Sequence, residues 1–148
     1  MFGARQDPNG AYAAVIPLWF KAMLQKDLVI INGDGETTRD FCYVKNVIQA
    51  NLLAALADNS DAINEVYNVA FGERITLNQL FETIASILNL SKDYKPKHED
   101  FRLGDIRHSL ADIDKARTKL NYDPEYNVKH GLLAVADWYK GYFIKEKM

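Results

Sequence analysis

The sequence of 148 residues has one cysteine, Cys42, so no disulfide can close within the chain. A reducing compartment, the cytoplasm, fits that usage. Long apolar runs are missing as well. The longest, residues 11–20 and 52–57, are too short to cross a bilayer, which predicts no membrane partner. Met1-Phe2-Gly3-Ala4-Arg5 lacks a basic stretch followed by an apolar core, so no secretory signal is expected. Neither sign of charge dominates: the net charge is −2, which gives no field to draw nucleic acid. Histidine is scarce, and His98, His108 and His130 stand at no metal-binding spacing, so structural or surface roles are expected and no metal. Gly-x-Ser-x-Gly and Gly-x-Gly-x-x-Gly do not occur, and none of the eight tyrosines has a lysine four residues on.

What is present is a foldable α/β sequence. Hydrophobic residues make up 48% and charged residues 26%, the mix of a globular chain with a real core. No repeat, low-complexity stretch or Pro- or Ser-rich linker divides it, so residues 1–148 read as a single domain. Residues 1–9 read as irregular, ending in an Asp7-Pro8-Asn9-Gly10 turn. A helix is predicted over 11–25, with Val15, Trp19, Ala22 and Met23 on one face; Pro17 sets its start or a kink just before. Residues 28–31 read as a strand, Gly33-Asp34-Gly35 as a hairpin turn, and 37–43 as the returning extended segment. A strand is expected at 65–71 and an extended piece at 94–99.

Three later helices are clearer. Thr76-Leu77-Asn78-Gln79 is a capping box opening a helix to about Leu88, with Leu77, Leu80, Phe81, Ile84, Ala85 and Leu88 on one stripe. A short helix near 112–120 presents Ile113, Ala116 and Leu120. The last starts near Asn127 and aligns Val128, Leu132, Val135, Ala136, Tyr139 and Phe143. A further helix, 44–56, is apolar on nearly every side. That implies burial on more than one face, and so a covering partner beyond a core of this size.

Two clusters could carry chemistry. One runs from Gly33 through Arg39-Asp40-Phe41 to Val44; the other is Arg102-Leu103-Gly104-Asp105-Ile106-Arg107-His108-Ser109. Both set arginine beside a turn and a carboxylate. Guanidinium suits phosphate, and Asp105 could accept bonds from a ribose diol. The competing reading is an arginine–carboxylate surface pair. Tyr43 and Val44 read as core, and Arg107 and His108 as structural.

Phe2-Gly3-Ala4-Arg5-Gln6, then Gly33-Asp34-Gly35 with Arg39-Asp40-Phe41 and Tyr43-Val44, then Arg102-x-Gly-Asp105 and Ser109-x-Ala-Asp112, follow the order seen in extended short-chain dehydrogenase/reductases. The chain resembles the carboxy-terminal, substrate-binding part of their nucleotide-sugar epimerases, most of all bacterial and archaeal UDP-N-acetylglucosamine 4-epimerases of the UDP-glucose type. The stretch Arg5 to Pro17 matches best. The resemblance covers the whole chain but only the last two-fifths or so of the family's usual protein.

The resemblance implies that Arg39 and Arg102 contact a diphosphate and that Asp105 bonds the ribose hydroxyls. It implies backbone approach to the nucleotide near Ala14 and Val15, where the small Ala13 and Ala14 leave room at a helix start. It makes residues 30–32, with backbone at Ile30 and Asn32, similar to the family's uracil-binding strand; ordinary helix and strand packing is the competing reading for these. The family's NAD-binding glycines and its Tyr-x-x-x-Lys pair lie upstream, so the implied NAD belongs to a full-length parent with a Rossmann domain, and this chain alone would bind none and be inactive. Asn46 stands where the family often has Asp, which weakens a helix-start charge.

The implied partners are a UDP-sugar, the missing N-terminal Rossmann domain, and a second copy in a homo-oligomer. Two alternatives stay open: a fragment of another NAD-dependent sugar-nucleotide enzyme, such as a UDP-glucuronate decarboxylase or a 4,6-dehydratase, and a non-enzymatic sugar-nucleotide-binding or assembly module.

Overall fold

The computed structural model describes residues 1–7 and 14–145. The predicted turn after Asp7 and the predicted first residues of the leading helix, Ala13 included, lie outside the described residues. Among the described residues, five α-helices, a short 3-10 turn and four short strands make up a mixed α/β fold. Helix α1 spans Val15–Gln25, α3 Leu77–Ile87 and α5 Val128–Lys145, and these three pack on one another. Pro17 is the third helical residue of α1. It is tolerated there because a first-turn N–H has no partner in the helix to lose. The capping box holds as predicted: Gln79 N–H donates to Thr76 Oγ1 at 3.0 Å, and Thr76 N–H to Gln79 Oε1 at 2.9 Å. Asn127 opens α5 with its side-chain oxygen, which accepts the His130 N–H at 2.9 Å.

The main core follows from these helices. Phe20, Met23, Leu80, Ile84, Leu132 and Tyr139 are sealed inside it, and every residue of the predicted α5 stripe is buried. Phe20 and Tyr139 stack with ring centroids 4.6 Å apart. Burial pushes the Tyr139 phenol up to about 12, and its hydroxyl donates to Gly3 O. Phe2 enters the same core through a parallel bridge to Tyr43. Gly131 leaves it room, since a Cβ there would lie 2.6 Å from the Phe2 ring, and the Tyr43 ring packs against that ring at 5.5 Å between centroids.

A smaller core joins helix α2, Val44–Ala55, to helix α4, Asp114–Leu120. Ala50, Ala62, Ala70 and Ala116 line it, with Ile113, Leu120 and Tyr122 filling the space between. Only one side of α2 is used. Ile48, Leu52 and Leu56, spaced four apart, are 51%, 58% and 80% exposed. The all-round apolar helix of the sequence is thus half covered. Among the described residues no helix is long and apolar enough to cross a membrane.

The strands depart from the sequence reading. Strand β1, Ile30–Asn32, pairs in parallel with β4, Lys97–Glu99, while β2, Thr38–Arg39, pairs antiparallel with β3, Ile75–Thr76. Gly33 and Gly35 do make a turn, at φ of 81° and 78°, but no hairpin. Asn78, at the start of α3, donates to Asp34 O and Glu36 Oε1, and its own N–H reaches Gly35 O. These bonds draw the turn onto α3 and send its two arms to different sheets.

Residues 65–71 form no strand. Val66 and Val69 are three apart, so they cannot share a face of an extended chain; Val66 is 86% exposed. Side chains satisfy this backbone instead: the Tyr122 hydroxyl donates to Ala70 O at 2.7 Å, and Asp40 takes the next two N–H groups.

Asn46 also reads differently in three dimensions. It is 1% exposed and faces the chain before α5, donating to Tyr126 O at 2.8 Å and accepting Tyr126 N–H at 3.1 Å. Its amide is a two-way tie that a carboxylate could only half make. Asn46→Ala should therefore lower stability by about 1–3 kcal/mol, read as a shifted urea midpoint at unchanged slope. An unshifted midpoint would show that water replaces the tie at no cost.

Candidate functional site

One cleft of about 380 Å³ gathers the start of α1, strand β1, strand β2 and the loop carrying residues 102–105. Ala14, Val15, Ile30, Asn32, Arg39, Arg102 and Asp105, the seven residues singled out in the sequence, all line it. Trp19, Thr37, Phe41 and Leu77 line it too; Phe41 stands in the Arg39-Asp40-Phe41 motif, whereas Trp19 and Leu77 were read only as apolar spacing and Thr37 carried no signal of its own. Trp19 is 5% exposed and meets Phe81 edge-on, so it forms a firm apolar floor.

Each wall has a local cause. Ala14 is the N-cap of α1 in extended conformation, with no side-chain cap and no acidic residue in the first turn. That helix end offers N–H groups and the positive end of its dipole to the cleft. In β1, Val29 O accepts Lys97 N–H and Gly33 N–H reaches Glu99 O, both at 2.8 Å. The odd-numbered backbone groups thus face β4. The backbone of Ile30 and Asn32 alternates to the opposite edge, where no strand pairs with it among the described residues.

The charged wall is built on β2. Arg39 Nη2 donates to Asp105 Oδ1 at 2.5 Å, and Arg39 Nη1 to Thr38 O at 2.9 Å and Arg107 O at 3.4 Å. The arginine–carboxylate pair read as the competing possibility is therefore present, with side chains 27% and 42% exposed. A second pair, Arg107 Nη2 to Asp34 Oδ2 at 2.6 Å, pins the loop to the 33–35 turn. That hydrogen bond, foremost, holds the Asp34 carboxyl below its ordinary range. His108 Nδ1 lies 3.0 Å from Thr38 Oγ1, so Arg107 and His108 both tie loop to strand. Arg102 is exposed and makes no side-chain ion pair among the described residues.

The remaining polar groups hold the frame. Asp40 Oδ1 and Oδ2 accept the N–H groups of Phe71 and Gly72 at 3.2 and 3.0 Å. Sequence reasoning missed this because the partners lie 31 and 32 residues away. Cys42 is buried, and desolvation raises its thiol pKa, which marks a packing residue rather than a nucleophile. His98 Nδ1 contacts Gly33 O at 2.8 Å.

A helix start, an open strand edge and an arginine-bearing loop meet around one cleft, in an α/β fold that matches the carboxy-terminal part of solved epimerase structures. Residues 1–70 match the model of the NAD dependent epimerase/dehydratase family. It is 35% identical to a putative UDP-glucose 4-epimerase of Methanocaldococcus jannaschii, over 95% of this chain and 43% of that protein. The UDP-glucose 4-epimerase of Thermotoga maritima, solved with UDP-glucose, superposes with a TM-score of 0.85 at 37% identity, over 95% of this chain and 43% of that one. The UDP-N-acetylglucosamine 4-epimerase of Methanobrevibacter ruminantium, solved with UDP-N-acetylmuramic acid, gives 0.83 at 41% identity, over 99% and 44%. The chain spans less than half the length of these relatives.

Asp40→Ala removes both acceptors of the 71–72 turn and should cost about 1–3 kcal/mol in urea unfolding. Asp40→Asn, which keeps one acceptor oxygen, should cost less. Equal stability of all three proteins would show that the clamp contributes nothing.

Proposed function

We propose that this chain is the nucleotide-gripping part of a UDP-sugar 4-epimerase. The observation that carries the reading is the convergence of two arginines, the Asp105 carboxylate, a helix start and an open strand edge on one cleft. In it Arg102 and Arg39 hold the diphosphate, helped by the N–H groups at Val15 beside the small Ala14. Asp105 accepts the ribose hydroxyls, and the backbone of Ile30 and Asn32 reads the edge of uracil. Such a grip fixes the nucleotide while the sugar is turned over, a positioning contribution to the reaction.

The 148 residues contain no glycine fingerprint for NAD and no Tyr-x-x-x-Lys pair to move a proton, so no residue here is assigned to either task. The reading gives NAD and the hydride chemistry to the N-terminal Rossmann part of a longer, cytoplasmic protein. Residues 1–148 act as its single nucleotide-sugar-binding domain, with no cofactor of their own.

Titration of the purified chain with UDP tests the grip. Binding should be measurable by calorimetry, and Arg102→Ala should weaken it about tenfold or more. With NAD added, the same protein should leave UDP-N-acetylglucosamine unconverted. Undiminished affinity in the variant, or turnover above a protein-free blank, counts against the proposal.

The outer face of α2 is where the reading seats the Rossmann part. Without it, Ile48, Leu52 and Leu56 form an apolar ridge that a second copy can cover, in a symmetric pairing. Sedimentation velocity at micromolar protein should show a dimer, and Ile48→Lys or Leu52→Lys should release folded monomer. A parent chain that sediments as one monomeric species would remove the idea.

A further inference from the structure

We propose that Arg39 is a positioning residue for the loop that carries Arg102 and Asp105, in addition to facing the cleft. The tip of that loop, residues 102–106, has nothing apolar to hold it. Leu103 is fully exposed, Ile106 is 67% exposed, and Gly104 turns the chain at a φ of 80°. Both ends of the loop are anchored. Before the tip, the Phe101 ring lies against Gly33, so close that a Cβ there would sit 2.3 Å from a ring carbon. After it, Thr38 N–H donates to Arg107 O at 2.9 Å and Ser109 N–H to Thr38 O at 3.2 Å.

Between these anchors the tie from tip to body among the described residues is Arg39 to Asp105. Three of the five N–H donors of a guanidinium are engaged, two of them on the loop at Asp105 and Arg107. The side chain is sunk to 27% exposure on a strand paired at both Thr38 and Arg39, so its position is set before any ligand arrives. Its bond to Oδ1 leaves the second oxygen of Asp105 as an acceptor. Arg39 thus decides where the carboxylate stands, and two N–H groups remain for an anion. Arg102, bound to nothing through its side chain among the described residues, contributes charge and no support. The ligand consequences rest on the function proposed above; the loop consequences do not.

Chymotrypsin cleavage at Leu103, followed by intact mass, reads the tip directly and needs no ligand. Arg39→Ala should raise the initial cleavage rate about five- to tenfold, and Arg39→Lys should restore part of the protection. Asp105→Asn, at an exposed position, should match Arg39→Ala with the fold intact, and the double variant should add nothing further. Arg102→Ala should leave cleavage unchanged. Unaltered cleavage in Asp105→Asn, or equal acceleration by Arg102→Ala, overturns the proposal even if Arg39→Ala fails to fold.

The second readout compares UDP with 2′-deoxy-UDP. Arg39→Ala should narrow the preference for the ribonucleotide, whereas Arg102→Ala should weaken both alike. An undiminished preference in Arg39→Ala overturns the positioning role. If neither nucleotide binds the parent chain, the proposed function fails, and the cleavage rates still decide the role of Arg39.

Discussion

The backbone of Thr38 is the joint from which the polar half of the cleft hangs. On one edge it pairs with Thr76, which is also the cap of α3. On the other edge its N–H and C=O take the 107–109 stretch, and its hydroxyl meets His108. Its C=O also receives the Arg39 guanidinium. A strand of two residues is by itself too short to be stable. It persists because Leu77 N–H reaches back to Thr37 O, which ties the strand to a helix that the main core has already fixed. Core packing thereby reaches the cleft through α3, β3 and β2 in turn.

How much of this was legible in the sequence depends on the range of the interaction concerned. The helices were legible because their causes are local: apolar residues three and four apart, Thr76 with Gln79, and Asn127 before α5. The pairing of strands was not. A glycine turn at 33–35 sets the direction of the chain over a few residues, but the partner of β1 lies 67 residues on and is chosen by tertiary packing. Residues 65–71 have strand-like composition, yet their backbone groups are claimed by Tyr122 and Asp40, side chains distant in sequence. Asn46 is the same case, its partner being Tyr126.

The cleft was legible in a different way. Arginine beside carboxylate, taken by itself, fitted a surface pair as well as a ligand site, and the structure contains that pair. What separated Ala14, Val15, Ile30 and Asn32 from ordinary packing residues was resemblance to a family, since backbone groups leave no mark in side-chain chemistry. The alternation of hydrogen bonds along β1 shows that the backbone of Ile30 and Asn32 faces an edge no strand pairs with among the described residues. The small core under α2 shows the converse. Its alanines look unremarkable in the sequence and become informative only when α4 is seen to lie close against them.

The burial of Cys42 has a practical side. The chain has one thiol, and it is 4% exposed with its ionisation suppressed by desolvation. The native surface is therefore silent toward maleimides and similar reagents. A cysteine placed anywhere outside becomes the only fast-reacting address, so a single dye or spin label can be written onto the molecule without first deleting a native residue.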